Sequence, residues 1–160
     1  MIVAALILAA GGSSRLGRPK QLEPWGNTTL LGHVVDQVRT YPVDEIWVVL
    51  GAEFDRILDT VDLTGCNVVE NPEWEEGIAS SLRVGLDALI QTSRADAALI
   101  VIGDQPNIDR KVVEEIVETF ATAEVPVVLP KYRYTWGNPV MVDRSLWARL
   151  MSLEGDEGAQ

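Results

Sequence analysis

Histidine and cysteine are nearly missing from this chain of 160 residues; each occurs once, as His33 and Cys66. A single cysteine excludes an internal disulfide, and Cys66 reads as a packing residue. One histidine leaves no ligand set for zinc, and any Ser-His-Asp arrangement would have to use it. His33 lies beside Leu30, Leu31 and Val34 on a stretch with helical spacing, a place suited to packing or surface duty rather than catalysis. Positive charge is also scarce: 13 basic residues against 24 acidic ones leave a net charge of −11. Nucleic acid and anionic membrane surfaces attract cationic proteins, so neither is expected as a partner. No apolar run reaches the ~20 residues of a membrane helix. The opening MIVAALILAA has no basic residue ahead of it, so it reads as a buried first strand, not a signal peptide, and a cytoplasmic location is expected.

What is present is alternation. Apolar runs at 2–9, 45–50, 67–70, 97–102 and 125–130 are continuous rather than alternating, as in strands buried on both faces. Between them lie segments with helical spacing. Leu30, Leu31, Val34, Val35 and Val38 form one stripe, and Ile78, Leu82, Leu86 and Ile90 a second. Val112, Val113, Ile116, Val117 and Phe120 form a third behind the capping residue Asp109, and 53–61 is a weaker helix. Strand alternating with helix predicts one three-layer α/β domain over residues 1–160 with a mostly parallel central sheet. Ligands in such sheets bind beyond the carboxyl ends of the strands, which puts the loops after residues 9, 70 and 102 on the functional edge.

The first of those loops is the most distinctive stretch. LAAGGSSRLGRPK follows the first strand; Gly11 and Gly12 permit close approach of an anion to main-chain N–H groups. Ser13 and Ser14 add hydroxyls, Arg15, Arg18 and Lys20 add charge, and no acidic residue occurs before Glu23. In so acidic a chain this reversal of sign attracts a polyphosphate. The plain alternative is a tight strand-to-helix turn with surface arginines. The dinucleotide fingerprint G-x-G-x-x-G is not satisfied. The Walker pattern matches Gly12 and Gly17 but then meets Arg18 and Pro19, and a proline there keeps Arg18 extended where a helix should begin.

The loop resembles the LAAG-x-x-S-R-[ML]-G-x-x-K signature of the nucleotidyltransferases related to the molybdenum cofactor enzymes. GRPKQLEPWGNTTLLGHVV, VVLGAE, NPEWEEGIASSLRVGL and GDQP resemble segments of the molybdenum cofactor cytidylyltransferase group in the same order, from residue 4 to the end. The resemblance implies a Rossmann-like nucleotidyltransferase fold. It also implies that the loop, including Ala10, wraps the triphosphate of an NTP, with Arg15 and Lys20 on phosphate oxygens. Asp104, one residue past Gly103, would be the ligand of Mg²⁺; from the residues alone it is equally a turn former before Pro106. Gly77, Ser80 and Ser81 stand at an expected helix start, where plain capping competes with ligand contact; the resemblance places this turn against base and acceptor. Gln105 and Pro106 complete the aspartate motif. Gly137 and Pro139 match the family, and Asn138 stands where histidine is more frequent; these three are expected to shape the acceptor pocket.

The implied reaction is transfer of CMP from CTP to a phosphate-bearing acceptor, most closely molybdopterin or the molybdenum cofactor, with release of pyrophosphate. LAAG and RPK favour the cytidylyl branch over the guanylyl branch, which reads LAGG. Guanylyl transfer, a sugar-phosphate or alcohol-phosphate acceptor, and a non-catalytic nucleotide-binding module that escorts the cofactor to its target enzyme are the alternatives. The closing LEGDEGAQ resembles the family's GD-x-GA segment, after which relatives continue to a second acidic metal-site position; Asp156 is either a pocket residue or a surface acid.

Overall fold

The computed structural model describes residues 1–12 and 18–155. Its centre is a six-stranded sheet in the order β5 (Asn67–Glu70), β4 (Glu45–Leu50), β1 (Val3–Leu8), β6 (Ala97–Ile102), β10 (Val140–Asp143) and β7 (Val127–Val128). The first four are parallel, and β10 runs antiparallel to both of its neighbours. Two-residue strands β2 (Pro24–Trp25) and β3 (Thr28–Thr29) form one small ribbon, and β8 (Lys131–Tyr132) and β9 (Thr135–Trp136) another.

Side-chain alternation divides the core in two. Val3, Ala5 and Ile7 of β1 face α1 (Leu30–Val38), α2 (Phe54–Thr60) and α4 (Arg110–Ala123). Ala4, Leu6 and Leu8 face α3 (Ile78–Thr92) and α5 (Trp147–Leu150), where Trp147 is fully buried. Two packed faces on one sheet explain why the strands read as unbroken apolar runs. The three-layer architecture and mostly parallel sheet are those expected from the alternation.

Two details differ from the sequence reading. The run at 125–130 is strand only at Val127–Val128, because Pro126 and Pro130 bound it and neither can donate to a ladder. Ile90 is exposed and Leu89 takes its place on the buried face of α3. A strict four-residue repeat drifts away from the 3.6-residue turn, so the stripe slips back by one position at its end. The cap expected at Asp109 is formed, and Thr29 supplies another. Thr29 Oγ1 accepts from Gly32 N at 3.1 Å at the start of α1, and Asp109 Oδ1 accepts from Lys111 N at 2.9 Å at the start of α4.

No described helix is long and apolar enough to cross a membrane.

Candidate active site

Three strand ends converge at the carboxyl edge. Ala9 N donates to Val49 O at 2.9 Å, Gly103 N to Leu8 O at 2.9 Å, and Asn71 N to Leu50 O at 2.7 Å. A Cβ on Gly103 would lie 2.8 Å from Ala9 Cβ and 2.9 Å from Leu8 O, so only glycine lets the β6 loop come this close to the β1 loop. The consequence is long-range. Lys20 Nζ lies 3.0 Å from Asp104 Oδ2, although the two residues are 84 apart in sequence. A cation and a carboxylate of different loops thus meet at the mouth of the glycine turn. Ala10 is buried and Gly11 and Gly12 are exposed beside them. Ser13, Ser14, Arg15 and Asp156 lie outside the described residues.

One of the three expected cations of the loop is paired within the loop's own neighbourhood. Arg18 makes a two-pronged pair with Glu23, Nε to Oε2 and Nη2 to Oε1, each at 2.8 Å. That contact holds the Glu23 carboxyl below its ordinary range and raises the guanidinium. Arg18 is thus paired with the next acid in the chain, five residues on.

Gln21 is a residue that the sequence reading missed. It is buried, and its Nε2 donates to Ala9 O at 2.7 Å and to Gly11 O at 2.9 Å. Both partners are pure acceptors, which fixes the amide nitrogen as the atom facing them. The side chain clamps both sides of Ala10 and turns the loop's carbonyls inward. Among the described residues its Oε1 has no hydrogen-bond partner. Gln21→Glu would aim a carboxylate at two carbonyls. We expect the KM for NTP to rise about tenfold or more and Tm to fall by several degrees, while Gln21→Met shows the smaller loss of an absent clamp. Steady-state kinetics and thermal unfolding of the two variants provide the check; an unchanged KM in Gln21→Glu would remove this role.

Next to the loop lies a cleft of about 360 Å³, lined by Leu8, Ala10, Gly11, Gly12, Trp74, Glu75, Gly77, Ile78 and Ser81. Trp74 forms one wall. Its ring packs so closely on Gly12 that a Cβ there would lie 2.6 Å from a ring carbon. Gly77, at φ 104°, turns the chain into α3 in a backbone region natural to glycine. Behind the wall, Asn71 is fully buried. Its Nδ2 donates to Ser80 Oγ at 2.9 Å and Ser81 Oγ at 3.0 Å, and its Oδ1 accepts from Glu73 N at 2.9 Å.

The helix start is less open than its residue types suggested. Ser80 is 1% exposed, and its Oγ lies 2.7 Å from Gly77 O and 3.1 Å from Glu73 O. Ala79 N donates to Gly155 O at 3.0 Å, and Ser80 N to Gly77 O at 3.1 Å. Ser80 thus braces the turn, and Ser81 is the serine that reaches the cleft. Nearby, the Glu76 carboxyl titrates above its ordinary range, chiefly because it shares a hydrogen bond with Glu73 and feels its charge. Glu75 on the cleft wall, with Glu73 and Glu76 next to it in sequence, makes this rim acidic.

Gln105 and Pro106 follow Asp104 directly, with Gln105 N donating to Ile102 O at 3.2 Å. Gly137, Asn138 and Pro139 lead into β10, whose Val140 pairs with Ile100 near the carboxyl end of β6. His33 lies against Trp25, ring centres 6.0 Å apart, and Cys66 packs on the core.

The family described as the MobA-like NTP transferase domain matches residues 5–160. A solved homologue of Mycobacterium tuberculosis Rv0371c, from Mycobacterium sp. strain JC1, is 34% identical with a TM-score of 0.85, covering 98% of this chain and 77% of that one. Rv0371c itself, from M. tuberculosis H37Rv and solved in complex with manganese, is 28% identical with a TM-score of 0.83, covering 98% of this chain and 78% of that one. Nicotine blue oxidoreductase of Paenarthrobacter nicotinovorans is 28% identical over 170 residues, 99% of this chain and 79% of that protein.

Proposed function

The chain belongs to the MobA-like NTP transferase family and is a nucleotidyltransferase; we propose that it transfers CMP from CTP to a phosphate-bearing acceptor, molybdopterin or the molybdenum cofactor being the leading class. The observation that carries this reading is the Lys20–Asp104 pair at the mouth of the glycine turn. A cation suits a phosphate oxygen, and an adjoining carboxylate suits a divalent metal that also binds phosphate. The preference for CTP rests on LAAG and RPK in the loop.

An acceptor phosphate attacks the α-phosphorus. A new P–O bond forms to the acceptor oxygen, the bond between the α-phosphorus and the bridging oxygen breaks, and pyrophosphate leaves. A phosphate monoester has its second pKa near ~6 and is mostly ionised at neutral pH, so no general base is required. In this reading Lys20 and Arg15 neutralise charge on the phosphates, and the loop N–H groups between Ala10 and Ser14 hold them in line. The cleft beside Trp74, Gly77 and Ser81 takes the base. Gln105, Pro106 and the 137–139 segment hold the acceptor.

Asp104 fits a metal only with help. Among the described residues no cluster of three or more His, Cys, Asp or Glu could hold one alone. One exposed carboxylate next to a phosphate site matches Mg²⁺, which takes one or two carboxylates and completes its shell with phosphates and water. Mg²⁺ would supply charge neutralisation at the reacting phosphates.

The test is release of pyrophosphate from CTP, GTP, UTP and ATP with and without Mg²⁺, paired with thermal unfolding. A ligand at ~100 Kd adds about 2.7 kcal/mol, which at this size raises Tm by about 5–10 °C. A magnesium-dependent shift with CTP alone, followed by pyrophosphate release on adding the acceptor, is expected. A GTP preference would move the chain to the guanylyl branch. Nucleotide binding without pyrophosphate from any NTP would favour the escort module.

A further inference from the structure

The first turn of α3 carries two of the cleft's lining residues, Ile78 and Ser81, and it begins without a side-chain cap. A helix start leaves N–H groups with no partner inside the helix, and a Ser, Thr, Asp or Asn ahead of it ordinarily accepts from one of them. Here that position is Gly77. Its φ of 104° and ψ of −179° suit glycine alone, and glycine has no side chain to accept with. Ala79 is 1% exposed, so its N–H cannot turn to water and needs an acceptor within the protein. The acceptor comes from the far end of the described chain: it is Gly155 O, at 3.0 Å.

The segment that brings Gly155 there is a strap. It turns tightly after α5, with Ser152 N donating to Arg149 O at 3.2 Å and Leu153 N to Leu150 O at 3.1 Å. Leu150, Met151 and Leu153 pack on the part of the core that faces α3. Arg83 lies one turn beyond Ala79 on the same face of α3, and its Nη1 donates to Leu153 O at 3.1 Å. Gly155, at φ 63°, then bends the chain onto the helix start. Two carbonyls of the strap are therefore held by two donors four residues apart on α3. The first turn of α3 is gripped from both sides, by Asn71 through Ser80 and Ser81 and by the strap through Ala79.

We propose that Leu153–Gly155 is the cap of α3, supplied by tertiary structure in place of a local side chain, and that Arg83, by holding it, is a positioning residue for the nucleotide cleft. The nucleotide in this role rests on the function proposed above, while the cap stands on the hydrogen bonds alone. A turn that requires glycine at the helix start gives up the local cap. Ile78 and Ser81 then keep their places only while the strap is docked. Arg83 is not among the residues lining the cleft, so its effect passes through the strap and the Ala79 N–H.

Arg83→Met and Arg83→Lys are compared with the unsubstituted protein by amide hydrogen exchange at Ala79 and by titration with the magnesium complexes of CTP, GTP, UTP and ATP. Arg144→Met is the control for general loosening, because Arg144 donates to Ile90 O, Ser93 O and Ala95 O at the opposite end of α3. In Arg83→Met we expect exchange at Ala79 to quicken and the Kd of the bound nucleotide to rise, each about threefold to tenfold, the equivalent of one net hydrogen bond. Arg83→Lys keeps a charged donor and is expected to recover most of both. Arg144→Met is expected to lower Tm and to change neither. Unchanged exchange at Ala79 in Arg83→Met, an unchanged Kd despite faster exchange, or an equal rise of Kd in Arg144→Met would overturn the positioning role. If none of the four complexes binds the unsubstituted protein, the function proposed above falls, and exchange at Ala79 still decides whether Arg83 holds the cap.

Discussion

Lys20→Met and Asp104→Asn are each expected to slow nucleotidyl transfer about 10²–10³-fold while leaving the protein folded. The size follows from the role: loss of one preorganised group that stabilises developing charge costs about that much in rate. The lack of structural damage follows from exposure. The two side chains are 52% and 43% exposed, and a half-exposed ion pair contributes about 0–1 kcal/mol, so Tm should move by less than about 4 °C. The two substitutions also separate in their metal response. Asp104→Asn should raise the Mg²⁺ concentration needed for half-maximal rate, and Lys20→Met should raise the KM for the nucleotide with little change in metal demand. Losses below about tenfold at both positions would sink these assignments, whatever nucleotide is used.

Asn71→Ala is expected to lower Tm by about 6–12 °C and to weaken nucleotide binding at the same time. The side chain is fully buried and makes bonds to Ser80, Ser81 and Glu73, joining the loop after β5 to the first turn of α3. Truncation leaves the Glu73 N–H and two serine hydroxyls without this partner in the interior. A buried polar group left unsatisfied costs about 1–3 kcal/mol; because neighbouring groups relax together, about 3 kcal/mol for the set is a fair expectation. At this chain length each 1 kcal/mol moves Tm by about 2–4 °C. The functional loss has the same origin, since the loop that Asn71 anchors carries Trp74, the wall of the cleft. Differential scanning calorimetry and a nucleotide titration check both halves. A Tm drop under about 3 °C, or normal nucleotide affinity in a destabilised protein, would show that Asn71 does not hold the cleft's shape.

The layered fold was legible in the chain because burial on two faces leaves a one-dimensional trace. IVAALILA, EIWVVL and AALIVI are unbroken apolar runs, and the spacing from Leu30 to Val38 and from Val112 to Phe120 marks one face of a helix. Asp109 announces a helix start through side-chain chemistry that acts within two residues. The glycine loop was legible for a similar reason, since glycines, hydroxyls and cations are adjacent in sequence. Short-range physics writes itself into neighbouring residues, and those features needed no coordinates.

Partnership between distant segments leaves no such trace. That Lys20 meets Asp104 depends on β1 and β6 being neighbours in the sheet and on Gly103 allowing their loops to touch. That Arg18 is paired with Glu23, that Ser80 is buried while Ser81 reaches the cleft, and that Ala79 N is taken by Gly155 O all depend on how loops fold back on themselves. Gln21 and Asn71 are the clearest cases. A glutamine and an asparagine have side chains that serve equally well on a surface, and only packing closes them off from water and makes each hydrogen bond matter. Residue types and local spacing determine which elements form and which loop is cationic. Contacts between loops decide which carboxylate each of those charges meets, because desolvation and pairing energies depend on distance in space rather than on distance along the chain.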